Sequence, residues 1–129
     1  MFKNKSNIIW AVVIGGVIVG GFWWINYTKT APNIYDSFAQ CLGDKGAKFY
    51  GTFWCPYCNK QKAMFGSSAH RLPYVECSTA DRKNQLPVCR DKNITGYPTW
   101  EFADGSRENG VVELKKLAEK TGCELPAKQ

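Results

Sequence analysis

Hydrophobic positions follow three different rhythms along this chain. From Ile8 to Ile25 they run for 18 residues without a charge. A helix of that length covers roughly 27 Å, close to the ~30 Å hydrocarbon core of a bilayer. It has no polar face, which argues against a helix buried in a soluble core. Trp10 stands near one end and Trp23, Trp24 and Tyr27 near the other, the placement of interfacial aromatic belts. After a short polar stretch the rhythm becomes helical. Ile34, Phe38, Cys41 and Leu42 share a face, with Asn33 as N-cap and Gly43 and Gly46 as the end. Phe49 to Trp54 is short and uniformly apolar, which predicts a buried strand.

The next helix opens at Cys55-Pro56, with Pro56 at the first helical position, where its missing N–H is no loss. Cys58, Phe65, Ala69 and Leu72 lie on one face of it, and Gly66-Ser67-Ser68 is a point of interruption. Pro73 to Cys77 predicts a short strand, Ser78 to Asn84 a polar loop, and Gln85 to Asn93 a short helix disturbed by Pro87. Gly96-Tyr97-Pro98 is a turn signal. Thr99 to Ala103 and Ser106 to Val112 predict two strands joined by Asp104-Gly105, a strong hairpin signal. Leu114, Leu117, Ala118 and Thr121 mark a last helix, with Gly122 as its C-terminal cap. The expected architecture is α/β: a mixed sheet of about four strands with helices on both faces, plus one N-terminal transmembrane helix. The first two strands are expected to be parallel, joined through a helix.

The chain then divides into a cytoplasmic start (1–7), a transmembrane anchor (8–27), a tether (28–33), one domain (34–123) and a loose tail (124–129). The rival to an anchor is a cleaved signal peptide, whose apolar region is about 7–15 residues and ends at a small-x-small site. The run here is longer, bulky Trp-Trp-Ile closes it, and Thr28-Lys29-Thr30-Ala31 is a poor cleavage site. Lys3 and Lys5 precede the anchor and favour a cytoplasmic N-terminus; Lys29 weakens that asymmetry without reversing it. The domain is thus expected outside the cytosol, on a single-pass membrane protein. Gly16-x-x-x-Gly20 is also a pattern that lets two membrane helices pack, though glycine is common in such helices.

Net charge is +6 over 129 residues, and basic residues are scattered, with only Arg82-Lys83 and Lys115-Lys116 adjacent outside the N-terminus. No basic stripe marks a nucleic-acid partner. Six cysteines change the picture more. In the cytosol they would point to metal or catalysis; outside it they point to disulfides.

Two of them form Cys55-Pro56-Tyr57-Cys58. A strand that delivers a Cys-x-x-Cys pair to a helix start places the first sulfur in the field of the helix N-terminus, about half a positive charge. That field favours the thiolate, the reactive form. Cys55 is therefore the candidate nucleophile, exposed, and Cys58, one turn on and more buried, the resolving thiol. The alternative is a purely structural disulfide. Trp54, Tyr57 and Trp100 are candidates for an apolar rim that binds unfolded substrates, or equally for core.

The unit Trp54-Cys55-Pro56-Tyr57-Cys58, followed by Gly96-Tyr97-Pro98-Thr99 before the hairpin, resembles the thioredoxin-like superfamily over nearly all of Ile34 to Cys123. With Pro73-Tyr74-Val75-Glu76-Cys77-Ser78 and Trp100 included, it looks most like the thioredoxin-like domains associated with bacterial vitamin K epoxide reductase homologues. The resemblance implies a cis peptide bond before Pro98, which would lie against the redox pair, offer Tyr97 backbone groups to an extended substrate and keep metal ions away. An ordinary turn proline is the alternative. It further implies disulfide transfer between a quinone-linked membrane oxidase and cysteine-containing secreted proteins. The domain is expected to stand on one anchor without a four-helix oxidase module. Other departures are the missing first strand and Phe49, where thioredoxin has a buried aspartate. The Pro56-Tyr57 dipeptide also occurs in many glutaredoxins, which does not establish glutathione use.

Cys77 and Cys89 lie at the end of a strand and in the following short helix, and read as a structural disulfide worth about 3 kcal/mol, or as a second electron-relay pair. In a thioredoxin-like topology Cys41 and Cys123, each at a helix C-terminus, fall on the edge opposite the redox pair, so a second structural disulfide is expected. Zinc on Cys55, Cys58, Cys77 and Cys89 is the chemical rival, but zinc ribbons bring two tight Cys-x-x-Cys knuckles. No metal or cofactor is expected. His70, the single histidine, is expected to decorate a helix. The function read from the chain is a membrane-anchored thiol–disulfide oxidoreductase that donates disulfides. A reductase or isomerase, or a non-catalytic binding domain on the same scaffold, are the alternatives.

Overall fold

A computed structural model describes residues 5–29 and 33–127. The ends of the expected cytoplasmic start and tail, at residues 1–4 and 128–129, lie outside the described residues, as do 30–32 of the tether. The chain forms two units, residues 1–32 and 33–129. In the first, helix α1 spans Lys5–Lys29. Its side chains are described from Ile8 to Trp24, and all of these are exposed, with no polar side to the helix. Among the described residues no helix is long and apolar enough to cross a membrane; the stretch with described side chains stops one residue short of the 18-residue run ending at Ile25.

The second unit holds α2 (Asp36–Asp44), β1 (Lys48–Gly51), α3 (Pro56–Ala63), a 3-10 helix (Gly66–Arg71), β2 (Tyr74–Glu76), α4 (Pro87–Arg90), β3 (Thr99–Glu101), β4 (Arg107–Asn109) and α5 (Leu114–Thr121). The sheet order is β2-β1-β3-β4, with β1 parallel to β2 and the other pairs antiparallel. It is the expected four-stranded mixed sheet.

Local chemistry moves several boundaries. Asn33 is not the N-cap of α2. Its side-chain oxygen accepts from the Tyr35 N–H at 3.2 Å, a turn that delays the helix to Asp36. Gly43 lies inside α2, which ends at Asp44 with Lys45 as C-cap; Gly46 follows it with φ 83°, which suits glycine. Strand β1 stops at Gly51 rather than Trp54, because its partner β2 ends opposite it at Glu76 and the chain then turns to the α3 start. Pro87 does not disturb α4 but opens it, at the position where a proline needs no N–H. The hairpin strands are shorter than their apolar pattern, Thr99–Glu101 and Arg107–Asn109, and the turn between them has Gly105 at φ 82° and Asp104 Oδ1 accepting from the Ser106 N–H at 2.9 Å.

Adjacent residues of β1 face opposite ways, and the two faces are unequal. Phe49 joins Phe38, Leu42, Phe65, Trp100 and Leu117 in the main core, stacked on Trp100 with ring centroids 4.8 Å apart. Tyr50 joins Cys77, Cys89 and Ile94 in a small cluster on the other side. Residues of α2, α3, the 3-10 helix and α5 therefore share one core, and of the helices only α4 belongs to the other face. Helices do lie on both faces, but unevenly.

Two disulfides close the domain. Cys41 at the end of α2 is bonded to Cys123, just beyond α5, across 82 residues, and Cys77 to Cys89 across 12. By loop-closure entropy the long bridge contributes about 4.5 kcal/mol and the short one about 3 kcal/mol. Replacing the Cys41 and Cys123 pair by serine is thus expected to lower the unfolding free energy more than replacing Cys77 and Cys89. Urea titration of the two double variants checks the order, and the reverse ranking would refute the loop-entropy account.

Candidate active site

The turn out of β1 brings Cys55 to the N-cap of α3, with extended backbone (φ −76°, ψ 122°) and Pro56 following at the first helical position. The Cys58 N–H donates to Cys55 Sγ at 3.4 Å, so a free amide of the helix start is aimed at the sulfur. The Cys55 thiol in turn donates to the Tyr97 carbonyl at 3.8 Å. Tyr97-Pro98 is a cis peptide bond. Cys55, Tyr97 and Pro98, 42 and 43 residues apart in sequence, are thus brought together. Cys55 is buried, at 6% exposure, rather than exposed as expected; the Tyr97 carbonyl and the Cys58 N–H both lie against its sulfur.

Cys58 is fully buried beneath it. What makes room is Gly51: a Cβ there would stand 2.8 Å from Cys58 Sγ and 3.1 Å from Tyr74 Cε2. Burial pushes the Cys58 thiol up to about 12, and its hydrogen bond with Cys55 adds to this; the Thr52 backbone N–H and the Lys62 ammonium pull it down. The two sulfurs are free thiols in sharply different surroundings.

Around this pair the surface is aromatic. Tyr57 is 64% exposed, Phe53 42% and Trp54 41%, while Trp100 is fully buried and belongs to the core. Trp54 is held by its indole N–H on Ser78 Oγ at 2.9 Å. Arg82 lies over the Phe53 ring at 5.4 Å. A hollow of about 170 Å³ opens between Thr52, Trp54 and Tyr97 on one side and Ser78, Arg82 and Gln85 on the other.

Parts of known proteins are similar to this chain in sequence. No family model matches the chain. It is 45% identical over 91 residues, 67% of its length, to a protein of Arabidopsis thaliana named thiol-disulfide oxidoreductase LTO1. It is 28% identical over 96 residues, 65% of its length, to the thioredoxin domain-containing protein 5 homolog of Drosophila melanogaster. The domain is thioredoxin-like. The chain spans only 24% and 22% of those two relatives.

Other sequence candidates in the thioredoxin-like domain fall into place away from the redox pair. Cys77 and Cys89 are bonded to each other, so neither has a thiolate for zinc, and among the described residues no group of three metal-ligating side chains converges. His70 sits exposed on the 3-10 helix, its Nδ1 2.6 Å from the Ser67 carbonyl.

Four residues of the site escaped the sequence pattern. Gly51 reads as one more member of an apolar run. Phe53 reads as buried, yet lies outside the strand and exposed. Tyr74 and Glu76 read only as strand residues. They are hydrogen-bonded, hydroxyl to Oε2 at 2.6 Å, and burial together with that bond holds the Tyr74 hydroxyl above the ordinary phenol range. The signal that could have found them is register, since Gly51 pairs with Glu76 and Phe49 with Tyr74.

The Cys58 shift has a consequence for stability. Below the ordinary thiol value of 9.0, folded and unfolded chains both keep the proton. Between 9.0 and about 12 the unfolded chain ionises first, so stability falls as pH rises. The reduced protein is expected to lose thermal stability above pH 9 more steeply than its Cys58→Ser variant. Parallel alkaline melting curves would remove Cys58 as the cause.

Proposed function

We propose that this chain is a thiol–disulfide oxidoreductase working through Cys55 and Cys58. The observation that carries it is the pair of free thiols at the α3 start, one beside the Tyr97 carbonyl and one buried over Gly51. The name of the Arabidopsis relative supports the same chemistry.

As a disulfide donor the chain begins with Cys55 and Cys58 bonded. A substrate thiolate attacks Cys55 Sγ, the Cys55–Cys58 bond breaks and Cys58 leaves with the electron pair and gains a proton. A second substrate thiolate then attacks the first substrate sulfur, and Cys55 leaves as a thiolate facing the α3 N-terminus. The substrate has lost two electrons and the dithiol has gained them. Cys55 is the sulfur attacked because it keeps some exposure, 6%, where Cys58 has none. Tyr97 and Pro98 border it, and Trp54 and Tyr57 offer apolar area for a partly unfolded chain.

The setting belongs to the same proposal. The uncharged run Ile8–Ile25 anchors the chain in a membrane with the domain outside the cytosol, where its substrates are cysteine-containing secreted or envelope proteins. Re-oxidation then falls to a quinone-linked membrane oxidase resembling vitamin K epoxide reductase. Two disulfides in so small a domain suit an oxidising compartment.

Cys55→Ser is expected to abolish disulfide exchange, and Cys58→Ser to trap substrates in a mixed disulfide with Cys55. Exchange that survives Cys55→Ser would reject Cys55 as the reacting sulfur and favour a binding domain. The reduction potential separates donor from reductase: a value near ~−270 mV, that of thioredoxin, would sink the donor reading. Alkaline extraction of membranes and a fusion reporter on the C-terminus test the anchor. Release into the soluble fraction, or a cytosolic reporter, would overturn it.

A further inference from the structure

Exchange through Cys58 has a proton problem. A thiol so completely buried gives up its proton reluctantly, yet its sulfur must bond to Cys55 or leave it in every cycle. No side chain of β1 or β3 on that face carries a base, since they present Phe49 and Trp100. We propose, building on the redox reading above, that Glu76, working through the Tyr74 hydroxyl, takes up and returns the Cys58 proton.

Three observations place these groups together. In the parallel pair β1–β2, Gly51 stands opposite Glu76 and Phe49 opposite Tyr74. Paired residues, and residues two apart, point to the same face. The Glu76 and Tyr74 side chains therefore rise on the face where Cys58 Sγ rests over Gly51. Second, Cys58 Sγ and Tyr74 Cε2 both lie beside that bare backbone, 2.8 and 3.1 Å from the position of a Gly51 Cβ. Third, the carboxylate is oriented at both oxygens: Oε2 accepts from the Tyr74 hydroxyl at 2.6 Å and Oε1 from the Ser78 N–H at 2.9 Å.

The remaining ionisable groups that face Cys58 come from the α3 region. Cys55 is its redox partner. Lys62 lies with its ammonium 3.6 Å from the centre of the Tyr74 ring, where it favours negative charge on the sulfur and on the phenol oxygen. The raised Cys58 and Tyr74 values fit a chain of groups that hold protons until they move together.

The step balances. When the chain accepts a disulfide, Cys55 has attacked, forming a bond to the substrate sulfur and releasing the other substrate thiolate to be protonated by solvent. The Cys58 proton then passes to the Tyr74 oxygen while the Tyr74 proton passes to Glu76. Cys58 Sγ bonds to Cys55 Sγ, and the bond from Cys55 to the substrate breaks with its electron pair on the substrate. Disulfide donation runs the same path backwards, with Glu76 returning the proton through Tyr74 to the leaving Cys58 sulfur.

The test uses the full reduced chain in detergent and a small aromatic disulfide whose thiolate absorbs light. Attack by Cys55 releases one thiolate and resolution by Cys58 releases the second, so the two steps appear as two phases in stopped flow. Glu76→Gln is expected to leave the first phase within about twofold, slow the second roughly tenfold or more at neutral pH and alter its pH profile. The sign is informative. Loss of a negative charge by field alone would ease Cys58 ionisation and quicken the second phase. Tyr74→Phe, which keeps the ring in the core, is expected to give the same slowing. A second phase unchanged in either variant, or slowed with the wild-type pH profile, overturns the proposal. A wild-type chain with no first phase would instead overturn the redox reading itself.

Discussion

The side-chain amide of Gln61 is fully buried and makes four hydrogen bonds there. Its oxygen accepts from the Val112 N–H at 2.7 Å and the Trp100 indole at 3.2 Å; its nitrogen donates to the Val112 carbonyl at 3.0 Å and to Met64 Sδ at 3.5 Å. A buried amide left unpaired costs about 1–3 kcal/mol, so α3, Trp100 and the segment leading into α5 are held to one arrangement. Cys58 lies three residues before Gln61 on the same helix face, and both are buried. The bonds that fix Gln61 therefore also fix the depth at which Cys58 meets Gly51.

That depth separates the two sulfurs. They belong to one turn of one helix, yet Cys55 faces helix amides and a carbonyl at the surface while Cys58 is enclosed by Gly51, Tyr74 and the core. Cys55 keeps the little exposure that attack by a substrate needs. Cys58 has the shelter that resolves a mixed disulfide without competing for substrates. Differences of burial over a few ångströms, rather than extra charged residues, supply most of this division.

The disulfides do a different task. The Cys41–Cys123 bridge ties the first helix of the domain to the end of the last, and Cys77–Cys89 ties β2 to α4 on the thin face of the sheet. The small cluster there contains few large apolar residues, so a covalent link compensates for limited burial. An oxidising location, as proposed for the domain, is where such links persist.

By itself the sequence determined the element order, because periodicity, proline and glycine placement are local. Pro56 opening α3, Asp104-Gly105 turning the hairpin and Gly122 capping α5 with φ 75° are all written at the residues that act. So is the Cys-x-x-Cys pair at a helix start. Less legible were the ends of elements, which depend on where partner strands stop, as at Gly51, or on side-chain turns such as that of Asn33. What only the tertiary structure decided is which residues meet across the sheet. Trp100 belongs to the core and Phe53 to the surface, although both lie in apolar runs. Gly51 matters for the sulfur it admits, and Glu76 stands on the face of Cys58 through a parallel register between residues 25 positions apart. Those contacts have no local signature, since strand pairing and helix depth are chosen by the packing of the whole domain.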